Sequence, residues 1–168
     1  MKKIFVTYFE PFGGRTTNAS EEVVTLLRDY QIKELPVSWE KVPFLLDDIL
    51  SNEPDYLFLI GEAGSYKEIT IEKIAHNIAH GIDNYKVGKD NECIIENAPN
   101  ELITALDLSN IHYKISEDAG KYLCNFSYYL ALSKAINTKV LFIHLPYINE
   151  NVSLLKEQLL DIIKTLSK

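Results

Sequence analysis

The chain has 168 residues, about the size of one domain, and 46% of them are hydrophobic while 24% are charged, a balance that excludes a disordered chain. The net charge is −7 and the only arginines are Arg15 and Arg28, which argues against a nucleic-acid partner. The only cysteines are Cys93 and Cys124, which argues against a disulfide scaffold or a zinc ribbon and for a reducing compartment.

Membrane and export signals are weak. No apolar run approaches the ~20 residues of a membrane-spanning helix. The apolar stretch after Lys3 is too short for a signal peptide and runs into Glu10 and Pro11. We therefore expect a cytoplasmic protein with no membrane partner.

Predicted strands and helices alternate along the chain. β-Branched and aromatic residues at 3–9, followed by "EPFGG", predict a buried strand and a tight turn. Asn18 or Ser20 can cap the helix that follows. The predicted strands are 3–9, 32–39, 55–64, 111–116 and 139–148, and the predicted helices are 18–30, 42–52, 100–108, 118–136 and 151–167.

Two segments are less clear. Residues 68–79 alternate in the manner of a strand, with Ile69 and Ile71 on one side, but their apolar residues also fit a helix. Residues 81–99 are polar and contain glycines and a proline, which is typical of a long loop or an irregular hairpin.

The alternation of elements predicts a single α/β domain over residues 1–168. Its mostly parallel, twisted sheet would lie between two layers of helices, giving a three-layer α/β/α fold. In such sheets, functional groups gather at the carboxyl ends of the strands. The strand ends of chemical interest are at "EPFGG", "GEAG" and "FIHLPY", together with the segment "SEDAGKYLC".

Cys124 is a candidate nucleophile, although a lone cysteine in an apolar helix is usually a packing residue. The preceding "SEDAG" places Cys124 within the first turn or two of its helix. There, the helix dipole and free backbone N–H groups favour a thiolate and can stabilise an oxyanion.

His144 and Glu72 are polar residues in apolar segments. His144 lies inside the strand at 139–148, so it is either a core histidine with a hydrogen-bond partner or a catalytic base. Glu72 fits an edge strand with a wet outer face. A cysteine, a histidine and a carboxylate in contact would also form a nucleophile, a base and an orienting acid.

The loop "EPFGG" lacks the lysine and the serine or threonine of a P-loop, so it does not indicate nucleotide binding. It is either a sharp glycine turn or a loop whose aromatic residues, Phe9 and Phe12, form a wall of a small apolar pocket.

Four segments together resemble the pyroglutamyl peptidase I family, also called pyrrolidone carboxyl peptidase, of cysteine peptidases. They are "FEPFGG", "GEAGSYKEITIEKIAHN", "DAGKYLCN" and "FIHLPYI", and they occur in the family's order over nearly the whole chain. The resemblance implies a Cys–His–Glu triad of Cys124, His144 and Glu72.

The resemblance also implies a binding pocket and partners. The family's pocket aromatics match Phe9 and Phe12, its pocket asparagine matches Asn18, and Glu62 stands where members usually carry glutamine. The implied substrate is a peptide with a blocked or modified N-terminus. The implied assembly is a homo-oligomer, a dimer or tetramer, and no metal or organic cofactor is implied.

The chain departs from the family pattern at charged positions. Glu62 lacks the N–H donors of glutamine and would prefer a cation or a protonated partner. Tyr66 replaces an arginine, and a second arginine associated with the oxyanion is absent near "HGIDN". These departures leave open an altered substrate, such as one with an amine that pairs with Glu62, or a binding protein with impaired catalysis.

Overall fold

A six-stranded sheet forms the centre of the protein. The computed structural model describes residues 2–147 and 151–168. The strands within this part of the chain are β1 Ile4–Phe9, β2 Gln31–Leu35, β3 Tyr56–Glu62, β4 Thr70–Glu72, β5 Ile74–His76, β6 Ala79–Ile82, β7 Gly88–Glu92, β8 Glu101–Ile103, β9 Lys114–Ser116 and β10 Lys139–Leu145. The helices are α1 Ala19–Val24, α2 Val42–Ser51, α3 Leu123–Lys134 and α4 Val152–Leu166.

The central sheet is mostly parallel, as predicted. Its strand order is β2-β1-β3-β10-β4-β9. The strands β2, β1, β3 and β10 are parallel to one another, while β4 is antiparallel to β10 and parallel to β9. The two remaining sheets are two-stranded, one pairing β5 with β8 and the other β6 with β7.

Helices cover both faces of the central sheet because the side chains of its buried strands alternate between the faces. On one face, Leu57 and Leu59 of β3 belong to an apolar cluster that includes residues of α2 and α3. On the other face, Phe58 and Ile60 belong to a cluster that includes residues of α1 and α4. This arrangement confirms the expected α/β class.

Most predicted elements are present, with shorter boundaries. The helix predicted at 18–30 ends at Val24, and Asn18 caps it by accepting a hydrogen bond from the backbone N–H of Ser20. The helix predicted at 118–136 begins only at Leu123. The last residue of the strand predicted at 139–148 lies outside the described residues.

The helix predicted at 100–108 is wrong. Residues Glu101–Ile103 form β8, which pairs antiparallel with β5. The Thr104 N–H donates to the Lys73 carbonyl, and its hydroxyl donates to the Val140 carbonyl at 2.6 Å. These distant partners outweigh the local helical propensity, which is a weak preference over so few residues.

The segment 68–79 is extended, so the alternative of a helix is wrong. It is divided between β4 in the central sheet and β5 outside it, with Lys73 between them. The segment 81–99 contains the irregular hairpin that was one of its two predicted forms: β6 and β7 pair with a register shift between Ala79 and Gly81.

Candidate active site

A cavity of about 370 Å³ lies at the carboxyl ends of the parallel strands. Phe9 is the last residue of β1, Glu62 is the last residue of β3, and His144 is the second-last residue of β10. Six of the seven predicted site residues line this cavity, and the seventh, Glu72, lies behind His144. The six are Phe9, Phe12, Asn18, Glu62, Cys124 and His144.

Cys124 is the second residue of α3 and is partly exposed to the cavity. Its thiol lies against β3 because Gly61 has no side chain. A Cβ atom on Gly61 would be 2.9 Å from Sγ of Cys124 and 2.7 Å from Cζ of Phe142. The start of α3 also has backbone N–H groups without acceptors inside the helix. The thiol therefore lies where the start of the helix stabilises a negative charge on the sulfur or on a group bound beside it.

His144 and Glu72 are brought together by the antiparallel pairing of β10 with β4. Thr70 is opposite His144 and Glu72 is opposite Phe142, so His144 and Glu72 are diagonal neighbours on one face. Nδ1 of His144 is 2.7 Å from Oε1 of Glu72. His144 is 4% exposed and Glu72 is not exposed at all, so this contact is shielded from water.

The charged form of His144 is stabilised in this environment. Burial alone lowers the pKa of His144, but the nearby Cys124 sulfur and the hydrogen-bonded Glu72 carboxylate outweigh this effect and raise the pKa to about 9. The imidazole is therefore protonated at neutral pH and able to give a proton to a leaving group.

Tyr66, which replaces an arginine of the family pattern, also belongs to this site. Its hydroxyl donates to Oε1 of Glu72 at 3.1 Å, and its ring meets the His144 ring edge-on, with 5.6 Å between centroids. Burial raises the pKa of Tyr66, so the phenol keeps its proton. Tyr66 thus holds the carboxylate oxygen that contacts His144, while the other oxygen of Glu72 has no hydrogen-bond partner among the described residues.

Glu62 has a partner that sequence reasoning missed. Its carboxylate forms a salt bridge with Arg15, 47 residues away in the chain. Its Oε2 lies 3.3 Å from the second terminal nitrogen of Arg15 and 2.7 Å from the backbone nitrogen of Ala19. The cation that Glu62 was expected to require is therefore supplied by the protein itself.

The remaining predicted pocket residues, Phe9, Phe12 and Asn18, also line this cavity. Phe9 is buried and packs against Phe142, while Phe12 is partly buried and packs against Tyr122. Asn18 lines the cavity, but its Oδ1 accepts from Ser20 and its Nδ2 donates to the Glu10 carbonyl. Its amide therefore fixes the loop and helix beside the pocket.

Two further properties concern the described residues as a whole. Within residues 2–147 and 151–168, no cluster of three or more His, Cys, Asp or Glu side chains is arranged to bind a metal ion. No helix in that same part of the chain is both long and apolar enough to cross a membrane.

Comparison with known proteins connects this fold and site to one family of hydrolases. The sequence model of pyroglutamyl peptidase matches residues 2–160. The chain is 34% identical over 170 residues to the pyrrolidone-carboxylate peptidase of Thermococcus onnurineus, covering 88% of this chain and 85% of that protein. It is 30% identical over 166 residues to human pyroglutamyl-peptidase 1, covering 86% of this chain and 79% of the human protein.

Solved structures agree with the sequence comparison. The pyroglutamyl peptidase I of Bacillus amyloliquefaciens superposes with a TM-score of 0.90 at 25% identity, over 99% of this chain and 95% of that one. The pyrrolidone carboxyl peptidase of Thermococcus litoralis gives a TM-score of 0.88 at 26% identity, over 99% and 94% of the two chains. The chain belongs to the pyroglutamyl peptidase family, a family of cysteine-type peptidases.

Proposed function

We propose that this chain removes an N-terminal pyroglutamyl residue from peptides, with Cys124 as the nucleophile, His144 as the general acid and base, and Glu72 as the carboxylate that orients His144. The observation that carries the proposal is that Cys124 and His144 line one cavity, with Oε1 of Glu72 lying 2.7 Å from Nδ1 of the imidazole. Membership of the family supports the choice of substrate.

The reaction follows from these positions. The Cys124 sulfur, as a thiolate beside the protonated His144, attacks the carbonyl carbon of the pyroglutamyl residue, and the carbonyl oxygen becomes an oxyanion beside the start of α3. When the C–N bond breaks, His144 gives its proton to the leaving amine and a thioester remains on Cys124. A water molecule then gives a proton to His144 and its oxygen attacks the thioester, which releases pyroglutamic acid and restores the Cys124 thiolate beside the protonated His144.

The cavity suits the ring of pyroglutamate. This five-membered lactam is compact and uncharged, and Phe9 and Phe12 give the cavity an apolar wall. Because Arg15 balances the charge of Glu62, this carboxylate does not make the cavity favour a cationic ligand over a neutral one. This balance answers the objection that a carboxylate is unsuited to a lactam pocket.

The test is the release of a fluorescent amine from a pyroglutamyl arylamide by the native protein, Cys124→Ala and Cys93→Ala. Cys93 is the matched control because it is exposed and also free. We expect Cys124→Ala to lose activity by on the order of 10⁶-fold, which is the effect of removing a nucleophile from a triad. Cys93→Ala should retain native activity.

Thiol alkylation separates the ways in which the proposal could fail. An inactive native protein in which iodoacetamide modifies Cys124 much faster than Cys93 would have a working nucleophile and another substrate. An inactive protein with an unreactive Cys124 would support the binding protein considered from the sequence. The cytoplasmic location and the homo-oligomer stay predictions.

A further inference from the structure

The Glu62 carboxylate is a buried charge on the wall of the substrate cavity. The residue is 5% exposed, and its side chain is only 1% exposed. It forms the salt bridge with Arg15, and its Oε2 also accepts from the Ala19 N–H at 2.7 Å. The Ala19 contact fixes the position of the carboxylate, and Arg15 supplies the balancing charge.

Arg15 is held on the outer side of this carboxylate. Its side chain is 32% exposed, and its guanidinium lies 4.5 Å from the centre of the Tyr147 ring. The hydrogen bond that Arg15 donates to Glu62 raises the pKa of Arg15, a group that is in any case always protonated. The positive charge that faces Glu62 is therefore permanent.

This balance affects which ring can enter the cavity. A pyroglutamyl residue and an N-terminal prolyl residue share a five-membered ring, but the first is a neutral lactam and the second is a secondary ammonium. An unpaired buried carboxylate would bind the ammonium strongly and would be costly beside a lactam. A carboxylate already paired with arginine offers the ammonium no free negative charge.

We propose that Arg15 is a specificity-determining residue that, by neutralising Glu62, makes the cavity accept a neutral N-terminal lactam and reject the cationic ring of an N-terminal proline. The inference rests on the proposed function for the identity of the preferred substrate. The selection itself depends on the Glu62–Arg15 pair and is measurable without turnover.

The kinetic test compares pyroglutamyl and prolyl arylamides with the native protein, Arg15→Gln, Arg15→Lys and the double variant Arg15→Gln/Glu62→Gln. We expect Arg15→Gln to lower the ratio of kcat/KM, pyroglutamyl over prolyl, by on the order of 10²-fold. Arg15→Lys keeps the charge and should keep most of the ratio. The double variant has a neutral pair and should recover pyroglutamyl preference.

The binding test uses the rate at which iodoacetamide modifies Cys124, which needs no turnover. 2-Pyrrolidone should protect Cys124 in the native protein, and pyrrolidine, cationic at neutral pH, should not. In Arg15→Gln the order should reverse. This reversal in a protein that does not cleave pyroglutamyl arylamide would refute the proposed substrate while supporting the role of Arg15.

Unchanged ratio and unchanged protection in a folded Arg15→Gln variant would overturn the inference. An equal loss in Arg15→Lys and Arg15→Gln would also overturn it, because shape rather than charge would then be decisive. Should Arg15→Gln fail to fold, Glu62→Gln carries the test. This variant lacks the carboxylate to which the inference attributes binding of a cationic ring. Protection of Cys124 by pyrrolidine, or cleavage of the prolyl arylamide, in Glu62→Gln would therefore contradict the inference.

Discussion

Glu72 and Glu62 are carboxylates of similar burial beside the same cavity, with different partners. Glu72 contacts His144, whose charge changes with pH and during the proposed reaction. Glu62 contacts Arg15, whose charge is constant. The comparison shows that burial alone does not define a catalytic carboxylate. The partner determines whether the charge takes part in proton transfer or remains a fixed feature of the pocket.

The most severe way to test this difference is to neutralise each carboxylate. Glu72→Gln should lower kcat by on the order of 10⁴-fold, because the imidazole loses the acceptor that sets its tautomer and orientation. Glu62→Gln should have a far smaller effect on kcat with the pyroglutamyl arylamide, since the hydrogen bonds of its carboxylate within the described residues go to Arg15 and Ala19 and not to Cys124 or His144. Equal losses in the two variants would contradict the separation of roles.

A smaller loss is expected from displacing the Cys124 thiol. The added methyl of Gly61→Ala would come within 2.9 Å of Sγ of Cys124. A displacement of about 1 Å typically costs on the order of 10²-fold in rate. Gly64→Ala is the matched control, because a Cβ there meets no atom within 4 Å. Similar kcat/KM values for both variants would refute the close-approach explanation.

The role of the hydrogen bond that Tyr66 donates to Glu72 can be tested by substitution. Tyr66→Phe keeps the ring beside His144 but removes the donor to Glu72. We expect kcat to fall by about 10-fold, within the range of 10–100-fold for lost outer-shell hydrogen bonds at metal sites, and the alkaline limb of the pH profile to move. Tyr113→Phe is the control, since its hydroxyl donates to Asp161. A change in KM or stability without a change in the pH profile would indicate a structural role.

The smallest expected effect is on the pH dependence of stability. The pKa of His144 is raised from 6.5 to about 9, so the folded state binds the proton more tightly than the unfolded state. This contribution is complete below pH 6.5 and is lost as the pH rises through about 9. Thermal unfolding of the native protein and Cys124→Ala should show a larger alkaline loss in the native protein, because the Cys124 sulfur contributes to the raised pKa. Parallel curves would contradict this.

The sequence predicted the central elements because their signals are local. The apolar run of β3 indicates a strand without knowledge of its neighbours, whereas the segment around Glu72 fitted a strand or a helix until its pairing with β10 and β9 was known. The triad and the pocket residues, by contrast, came from resemblance to a family. Chain spacing alone left the contact between Glu72 and His144 open, and the antiparallel register of β4 and β10 provides it.

What the sequence did not predict depends on contacts between distant residues. Nothing near Glu62 indicates that Arg15 would be its partner, and nothing near Tyr66 indicates a bond to Glu72. The strand β8 was missed for the same reason, since its three residues fit a helix until β5 is available as a partner. Single salt bridges and short paired strands have no periodic pattern that could indicate them in advance.

The position of β10 has a consequence for how the molecule is made. This strand follows the other five strands of the central sheet in the chain but lies between β3 and β4 in space. During synthesis from the N-terminus, Cys124 and Glu72 therefore leave the ribosome before the strand that carries His144. Under the proposed mechanism, the thiol has no histidine partner until β10 has been added, so peptidase activity would begin only once the centre of the sheet has been filled.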